Sequence, residues 1–383
     1  MNTPSSFSKR IESIDMLRGI AIVFMVFDHV REFFYLHMQV SDPMNLQETE
    51  VALFFTRVLT HFCAPIFIFL TGLSAYLHSQ KSDNPKKTAS KYLFTRGIFL
   101  IFLEISIINF AWTFSFVPEI LYLQVIWAIG CSMLALSLFL WLPWQALLLL
   151  GVTIISLHNF FDYIHFDSSD RGYVLWAILH DRSIIELTEN LKIRTSYPIF
   201  PWIGVIFLGY VSAKLYDNSY PSIKRKKLLL SLSATVFILF LLVRFINFGD
   251  SSQWIYYEDT LLTTMSFFNL TKYPPSFPFV LLTLSGGLFL LWFLEERKNN
   301  PFNPFLIFGK VPMFFYIAHL FLLHIFYHIF RYFFYLCAEE DLVFNNILYI
   351  WPLGIFTLLL LYYPSIIFAK YKKKSKSKWM AYF

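Results

Sequence analysis

Ionisable side chains lie inside apolar stretches of this sequence, where they are rarely found without a function. The stretch LRGIAIVFMVFDHVREFF, residues 17–34, carries Arg18 near its start and Asp28 beside His29 in its second half. Other ionisable residues within long apolar stretches are His61, Glu104, His319 and His324. Each costs roughly 3 kcal/mol if it is buried in a lipid bilayer, so each is a candidate functional residue. Together they offer a base, acids and a cation, the groups that proton transfer on a polar substrate requires.

The apolar stretches themselves have the length of membrane-spanning helices. A helix needs about 20 apolar residues to cross a bilayer, and about ten segments of this chain approach that length. The predicted spans are residues 14–36, 51–79, 92–113, 120–140, 143–159, 197–215, 228–247, 277–295, 305–334 and 344–369. We therefore predict an all-α fold, a polytopic membrane helix bundle with about ten transmembrane helices. The connection 160–196 is predicted to contain an interfacial or re-entrant helix.

The composition excludes an ordinary soluble enzyme. Hydrophobic residues make up 57% of the 383 residues and charged residues 15%, and the mean hydropathy is +0.56. These values are typical of a polytopic membrane protein. The net charge of +6 would otherwise suggest a nucleic-acid partner. The basic residues concentrate in short connections and in the tail, where they can contact lipid headgroups. We therefore expect membrane lipids, and no nucleic acid, as partners.

Lysine and arginine are distributed unevenly between the two faces of the predicted bundle. If the N-terminus is cytoplasmic, the inner segments hold most of the 31 Lys and Arg residues, including those within 81–96, 224–227 and 370–378. Basic residues favour the cytoplasmic side of a membrane protein, so both termini are predicted to be cytoplasmic. We assign residues 1–371 to a single transmembrane domain and residues 372–383 to a basic cytoplasmic tail.

Helical geometry predicts that several of the ionisable residues lie at one depth. With a rise of about 1.5 Å per residue, they reach a shared layer in the middle to outer half of the bilayer. The residues in this layer are Asp28, His29, His61, Glu104 and His319. Arg18 lies on the same helical face as His29, about 16 Å away along the axis. This spacing suits a long substrate that has an anionic end and a reactive end.

Some of these residues also have an interpretation that requires no chemistry. Arg18 could extend its side chain to cytoplasmic headgroups. Asp28 could serve only to hold His29 or to pair with Arg31. His61 could make a hydrogen bond that only joins two helices. His324 and His328 lie near the outer end of their predicted helix among aromatic residues, which favours a packing role.

The segment SIDMLRGIAIVFMVFDH resembles the opening of the transmembrane acyltransferases. This superfamily has heparan-alpha-glucosaminide N-acetyltransferase on one branch and bacterial acyltransferase-3 proteins on another. Arg18 is separated from His29 by ten residues, which resembles the Arg-x10-His motif of the second branch. Later blocks resemble bacterial relatives of the first branch: FCAPIFIFLTGLSAYL, RGIFLIFLEISI, LQVIWAIGCSM, YPIFPWIGVIFLGY, LTKYPPSFPFVLLTLSGG and FGKVPMFFYIAHLFLLH.

The resemblance implies a multi-pass acyltransferase of a bacterial inner membrane. Its donor would be acyl-CoA, with acetyl-CoA preferred, and its acceptor a hydroxyl or amine of a periplasmic or cell-surface glycan or amino sugar. Members use a membrane-embedded histidine as general base or acyl carrier, and His29 is the matching position. In the human-type branch an asparagine stands at about this position, and the catalytic histidine follows in the outer loop, near Tyr35 or His37 here. The base is therefore left open between His29, His37 and His61.

The catalytic roles follow from the chemistry of acyl transfer. A base must deprotonate the acceptor, and hydrogen-bond donors must hold the developing oxyanion. We expect His29 to be the base, with Asp28 and Glu104 orienting it or sharing its proton. His61 and His319 are expected to form the wall of the site or part of its oxyanion hole.

The binding roles concern the donor and the acceptor. Arg18 and Arg96, near the cytoplasm, could hold the phosphates of CoA. Further predicted binding residues are Arg31, His37, Gln124, Lys272, Tyr273 and His319. His29, His61 and His319 could together form a metal site. Their spacing in the sequence does not follow a regular ligand pattern, so we expect no metal. Acyl-CoA and the acceptor are the expected partners, and a homodimer is left open.

The same residues allow a hypothesis from a different class, a proton-coupled transporter of a small polar or sugar-like solute. Asp28, Glu104 and His29 at mid-depth would form its proton relay. The sequence has no inverted repeat and no pair of broken helices, which are features of many such transporters. The acyltransferase hypothesis is therefore preferred.

Overall fold

The computed structural model describes residues 11–35, 44–217, 219–297, 300–333, 344, 346–377 and 380. It is a bundle of α-helices with one small sheet on its loops, so the predicted all-α class is confirmed.

The helices of the first half are α1 Glu12–Phe34, α2 Val51–Thr60, α3 Cys63–Ser79, α4 Pro85–Leu103, α5 Asn109–Thr113, α6 Val125–Phe139, α7 Trp144–Leu157 and α8 Tyr173–Leu179. Those of the second half are α9 Phe200–Ser212, α10 Ser222–Phe245, α11 Thr260–Phe268, α12 Phe277–Leu294, α13 Pro304–Lys310, α14 Pro312–Phe333 and α15 Ile350–Lys374. A π-helical turn joins α4 to α5, and a 3₁₀ turn, His158–Tyr163, follows α7.

Among the described residues, seven helical segments are long and apolar enough to cross a membrane. They are Val51–Ser79, Pro85–Thr113, Trp144–Tyr163, Ser222–Phe245, Phe277–Leu294, Pro312–Phe333 and Ile347–Lys374. Helix α1 has 23 residues but carries ionisable side chains along its length. The apolar segments Val125–Phe139 and Phe200–Tyr216 are shorter. Each of the predicted spans contains a helix, but the count of about ten is not confirmed, and the orientation stays a prediction.

Two segments of the chain form strands where helix was predicted. Residues 120–123 open the predicted span 120–140 as a strand, and only Tyr173–Leu179 is helical within 173–195. The strands are β1 Ile120–Leu123, β2 Ile184–Thr188 and β3 Leu191–Thr195, in the order β1-β3-β2. β3 pairs parallel with β1 and antiparallel with β2. The connections that carry these strands are long and largely non-helical, so their backbone N–H and C=O groups have no partners within a helix. The strand pairing supplies hydrogen-bond partners for them.

Helix α1 occupies the centre of the bundle. It packs against α2, α3, α12, α13, α14 and α15. Its apolar residues Leu17, Ala21, Ile22, Val26 and Val30 are almost completely buried. The ionisable residues of α1 therefore lie among protein groups that can pair with them, which is how a membrane protein tolerates such side chains.

The closest helix crossing joins α1 to α13 and depends on glycine. A Cβ atom at Gly309 would lie 1.7 Å from the carbonyl oxygen of Asp15, and one at Gly19 would lie 1.9 Å from that of Phe305. Both clashes are with backbone, so a larger residue would force the two helices apart. The crossing places the start of α1 beside the end of α13.

We expect Gly309→Ala to lower the free energy of unfolding by about 1–3 kcal/mol, because the added methyl group overpacks a backbone contact. Gly287→Ala on α12 is the matched control, since the nearest atom to its added methyl group would be Ile66 Cγ1 at an ordinary 3.4 Å. Thermal unfolding of the two detergent-solubilised variants measures the difference. Equal melting temperatures would show that the α1–α13 crossing is not tight.

Candidate active site

A cavity of about 800 Å³ opens between the helices beside α1. Its volume lies within the range of small-molecule sites, about 300–1,000 Å³. One end, which we name the histidine end, is lined by Asp28, His29 and Lys272, with Tyr316 beside them. The other end, the basic end, is lined by Arg18, Lys81, Arg96, Arg225, Lys310 and Lys372. The helical rise separates Arg18 from His29 by about 16 Å along α1.

The Asp28 carboxylate is held by three cations. Arg57 on α2 donates from Nη1 to both carboxylate oxygens, with 2.5 Å to Oδ2. Arg31 donates to Oδ1 from Nη2 at 3.0 Å and from Nε at 3.3 Å. Lys272 Nζ lies 3.9 Å from Oδ2. All four side chains are buried, so the attraction of the cations must offset the cost of removing the carboxylate from water.

The pairing of Asp28 with Arg31, one of the structural alternatives, is confirmed. Within the described residues, no hydrogen bond joins Asp28 to His29. Arg31 also contacts Glu32 at 3.3 Å, so this group contains three cations and two carboxylates. The histidine end therefore has a surplus of positive charge, which favours an anionic group or a developing oxyanion in the adjoining cavity.

His29 is hydrogen-bonded to His319 on α14. The distance from His29 Nδ1 to His319 Nε2 is 2.7 Å, and His319 Nδ1 lies 3.0 Å from the carbonyl oxygen of Phe315. A carbonyl only accepts, so Nδ1 of His319 must carry a proton. In the neutral pair, His319 Nε2 then accepts the proton of His29 Nδ1. This assignment follows from the hydrogen-bond network and leaves the lone pair of His29 on Nε2.

The second nitrogen of His29 is available to a ligand. His29 lines the cavity, and its Nε2 makes no hydrogen bond with any residue in the described part of the chain. The ring is wedged edge-on against Trp112 and Tyr316, at centroid distances of 4.9 and 6.0 Å. A neutral imidazole with a fixed tautomer, a fixed orientation and an open nitrogen has the geometry of a general base.

Lys272 and two tyrosines supply hydrogen-bond donors near this base. Lys272 is buried at 7% exposure and lines the cavity, yet its Nζ makes no hydrogen bond to a described residue. The hydroxyl of Tyr273 donates to that of Tyr197 at 3.3 Å, which leaves the proton of Tyr197 free to donate in turn. Tyr197 itself lines the cavity.

Glu104 does not line the cavity. Its Oε2 accepts a hydrogen bond from the backbone N–H of Trp127 at 3.0 Å, at the N-terminus of α6. The first N–H groups of a helix lack partners within the helix, and a carboxylate satisfies them well. Asn109, the first residue of α5, holds β1 through hydrogen bonds of its side chain with both the N–H and the C=O of Tyr122. This geometry gives Glu104 a clear role in positioning α6.

The other predicted residues divide between the site and its surroundings. Arg18 and Arg96 line the basic end, where Arg18 binds Asp15 at 2.9 Å. His61 is buried outside the cavity lining, with Nε2 unbonded among the described residues and its ring 5.2 Å from that of Phe279. Arg31, Gln124, Tyr273 and His319 are also outside the lining. His37 lies outside the described residues.

Two residues of the site are absent from the sequence predictions. Arg57 and Glu32 complete the charged group around Asp28. Arg57 falls within the predicted span 51–79, so its charge in an apolar stretch is the signal that could have identified it. The charge of Glu32, one residue from Arg31, carries no comparable signal, because it lies close to the predicted end of its helix.

Comparison with protein families identifies the chain. The family model described as heparan-alpha-glucosaminide N-acetyltransferase, catalytic, matches residues 10–257. This match covers more than half of the chain and includes α1 with His29, whereas Lys272 and His319 lie beyond it. No curated protein matched the sequence. The chain belongs to the heparan-alpha-glucosaminide N-acetyltransferase catalytic family and is an integral membrane acetyltransferase.

Proposed function

We propose that this protein moves an acetyl group from cytoplasmic acetyl-CoA to an amine or hydroxyl of an amino sugar or glycan on the opposite side of a bacterial inner membrane. His29 would act as the general base. The observation that carries this proposal is the open Nε2 of His29, held in one tautomer by His319 and facing a cavity that Lys272 also lines. The family match supports the acetyl group and the sugar acceptor.

The cavity suits a long anionic donor. The basic end offers lysine and arginine side chains to the phosphates of CoA, and the distance of about 16 Å between Arg18 and His29 along α1 leaves room for the extended arm that carries the thioester. In the predicted orientation the basic end faces the cytoplasm, where acetyl-CoA is made. The acceptor would then reach His29 from the outer side, past Lys272 and Tyr197.

The reaction follows from the placement of these groups. His29 Nε2 takes the proton of the acceptor N–H or O–H while the acceptor atom forms a bond to the thioester carbon. The resulting oxyanion accepts a hydrogen bond from Lys272 Nζ. Collapse of this intermediate breaks the C–S bond, and the sulfur receives the proton from His29. The products are the acetylated acceptor and CoA. A variant of the scheme has His29 Nε2 carry the acetyl group transiently, and ping-pong kinetics would distinguish it.

We expect Lys272→Met to lower kcat about 100-fold or more, because the oxyanion loses its charged donor, with a smaller change in the KM for acetyl-CoA. Lys272→Arg keeps the charge and should retain more activity. Lys192→Met is the control, since Lys192 is an exposed lysine paired only with Glu186 on the neighbouring strand. Steady-state rates of CoA release give the comparison. A Lys272→Met enzyme as active as the Lys192→Met enzyme would remove Lys272 from the mechanism.

The function itself is tested with purified full-length protein in nanodiscs. Acetyl-CoA labelled in the acetyl group is supplied together with glucosamine, and the products are separated by chromatography. We expect labelled N-acetylglucosamine to form in proportion to the protein added. If CoA release and labelled product are both absent with glucosamine and with a panel of amino and neutral sugars, the proposed function is wrong.

A further inference from the structure

A second cluster of polar side chains lies outside the cavity, at the end of α7. His158 and Asp162 lie on the 3₁₀ turn that follows α7, and His180 comes directly after α8. Each offers one ligand atom, and the three atoms all lie within 4.8 Å of one another. None of the three belongs to the predicted catalytic or binding residues.

The two histidines of this cluster are buried and incompletely bonded. His158 is 0% exposed, and neither of its ring nitrogens makes a hydrogen bond of good geometry to a described residue, although the backbone carbonyl of Pro275 lies close enough to interact with the ring. His180 is 1% exposed, and its Nδ1 is likewise unbonded. A buried polar group without a hydrogen-bond partner destabilises the fold. The buried His158 ring, which lies beside the carboxylate of Asp162 and a second histidine, therefore indicates that a ligand completes the cluster.

Hydrogen bonds hold the carboxylate of the cluster in place. Asp162 Oδ1 lies 2.9 Å from His180 Nε2, and Asp162 Oδ2 accepts a hydrogen bond from Asn159 Nδ2 at 2.8 Å. Asn159 Oδ1 in turn accepts the backbone N–H of Phe277 at 2.9 Å. Groups that bind a metal are usually fixed by such outer hydrogen bonds, which orient the ligand atom before the ion arrives.

We propose that His158, Asp162 and His180 bind one Zn²⁺ ion. Two imidazole nitrogens and one carboxylate oxygen form a ligand set that zinc favours, with water as the fourth ligand. In a tetrahedral zinc site neighbouring ligand atoms are about 3.4 Å apart, as expected from bonds of about 2.0–2.2 Å. Asp162 Oδ1 and His180 Nε2 are 2.9 Å apart, which is shorter than this value, so the ion would replace the proton that they share and the two atoms would move apart.

The site has a structural consequence for the outer connections. The ion would join the end of α7 to the residue that follows α8. Through Asn159 and Phe277 it would also support the start of α12, directly after the segment that carries Lys272. The inference does not depend on the proposed acetyl transfer, because metal content and stability are measured without turnover.

The first test is the zinc content of the full-length protein. The protein is purified without chelator, loaded with ZnSO₄, passed through gel filtration and measured by inductively coupled plasma mass spectrometry. We expect about one zinc per chain for the wild type, and loss of most of it in His158→Ala and Asp162→Asn. His165→Ala is the control, because His165 lies in the same connection but its side chain is 74% exposed. It should keep the zinc. A wild type without stoichiometric zinc, or a His158→Ala variant that retains it, would overturn the proposal.

A second measurement on the wild type alone keeps the proposal testable if the variants fail to fold. Co²⁺ bound in place of zinc should give the strong visible absorption of a tetrahedral site. EDTA should lower the melting temperature of the zinc-loaded protein by about 3 °C or more, and added zinc should restore it. Absence of both the cobalt spectrum and the chelator effect would also overturn the proposal.

Discussion

Replacing His29 with alanine is expected to lower kcat for acetyl transfer about 10²–10⁴-fold, the range typical for loss of a general base. The reason is that Nε2 of His29 is the cavity-facing lone pair whose tautomer is fixed by hydrogen bonding to His319. The KM for acetyl-CoA should change less, because in the proposed binding mode the basic end holds the phosphates. Initial rates of CoA release and of acetylated product, measured on protein in nanodiscs, give both quantities.

Two further histidine variants sharpen this prediction. His319→Ala removes the partner that fixes the His29 tautomer, so we expect a smaller loss of kcat than in His29→Ala. His328→Ala, an exposed position on the same helix as His319, is the matched control and should be near wild type. A His29→Ala enzyme with more than half of the wild-type rate would contradict the assignment and transfer the role of base to His37 or His61.

The largest expected effect on stability comes from Asp28→Asn. The variant leaves Arg31, Arg57 and Lys272 buried without the carboxylate that compensates their charge. Breaking a buried ion pair by removing one partner costs about 3–5 kcal/mol. We therefore expect a large fall in the melting temperature and a loss of activity that follows the loss of folded protein. Denaturant titration monitored by tryptophan fluorescence measures the change in the free energy of unfolding.

The double variant Asp28→Asn/Arg57→Gln measures the interaction free energy between these two side chains apart from their contacts with other residues. If the two side chains stabilise each other, the double variant should be less destabilised than the sum of the single variants. Glu186→Gln provides the control, since its ion pair with Lys192 lies on an exposed strand and should contribute nothing measurable. Strict additivity of Asp28→Asn and Arg57→Gln would show that the buried pair does not act as a unit.

The sequence predicted where the helices lie and how far along the helix axis each polar residue is placed. The apolar stretches located a helix in every predicted span, and Asp28, His29 and Arg31 of α1 proved to be buried within the bundle. Depth correctly placed His29 near His319, since a residue count fixes height along a helix axis. Height does not give the direction in which a side chain points. Glu104 was assigned to the same layer, yet it contacts the N-terminus of α6 instead of the cavity.

Other features depend on contacts between distant segments, which one sequence does not reveal. The strands are short, and β1 pairs with residues of β3 that lie about 70 positions away, for which local propensity is a weak guide. Arg57 was not among the predicted residues, although it is almost fully buried against Asp28. His158 and His180 lie on connections, where solvent exposure is the ordinary expectation. Packing of α8 against the turn after α7 contributes to their burial.

The central claim is that acetyl, and not the sugar, crosses the membrane through this protein. Sealed proteoliposomes are loaded with tritiated glucosamine, and acetyl-CoA carrying ¹⁴C in its acetyl group is added outside. The protein molecules whose basic end faces outward should produce N-acetylglucosamine that contains both labels and stays inside the vesicles, and His29→Ala should produce none. Tritiated glucosamine that leaves the vesicles without acquiring ¹⁴C would contradict the account and identify the protein as a transporter.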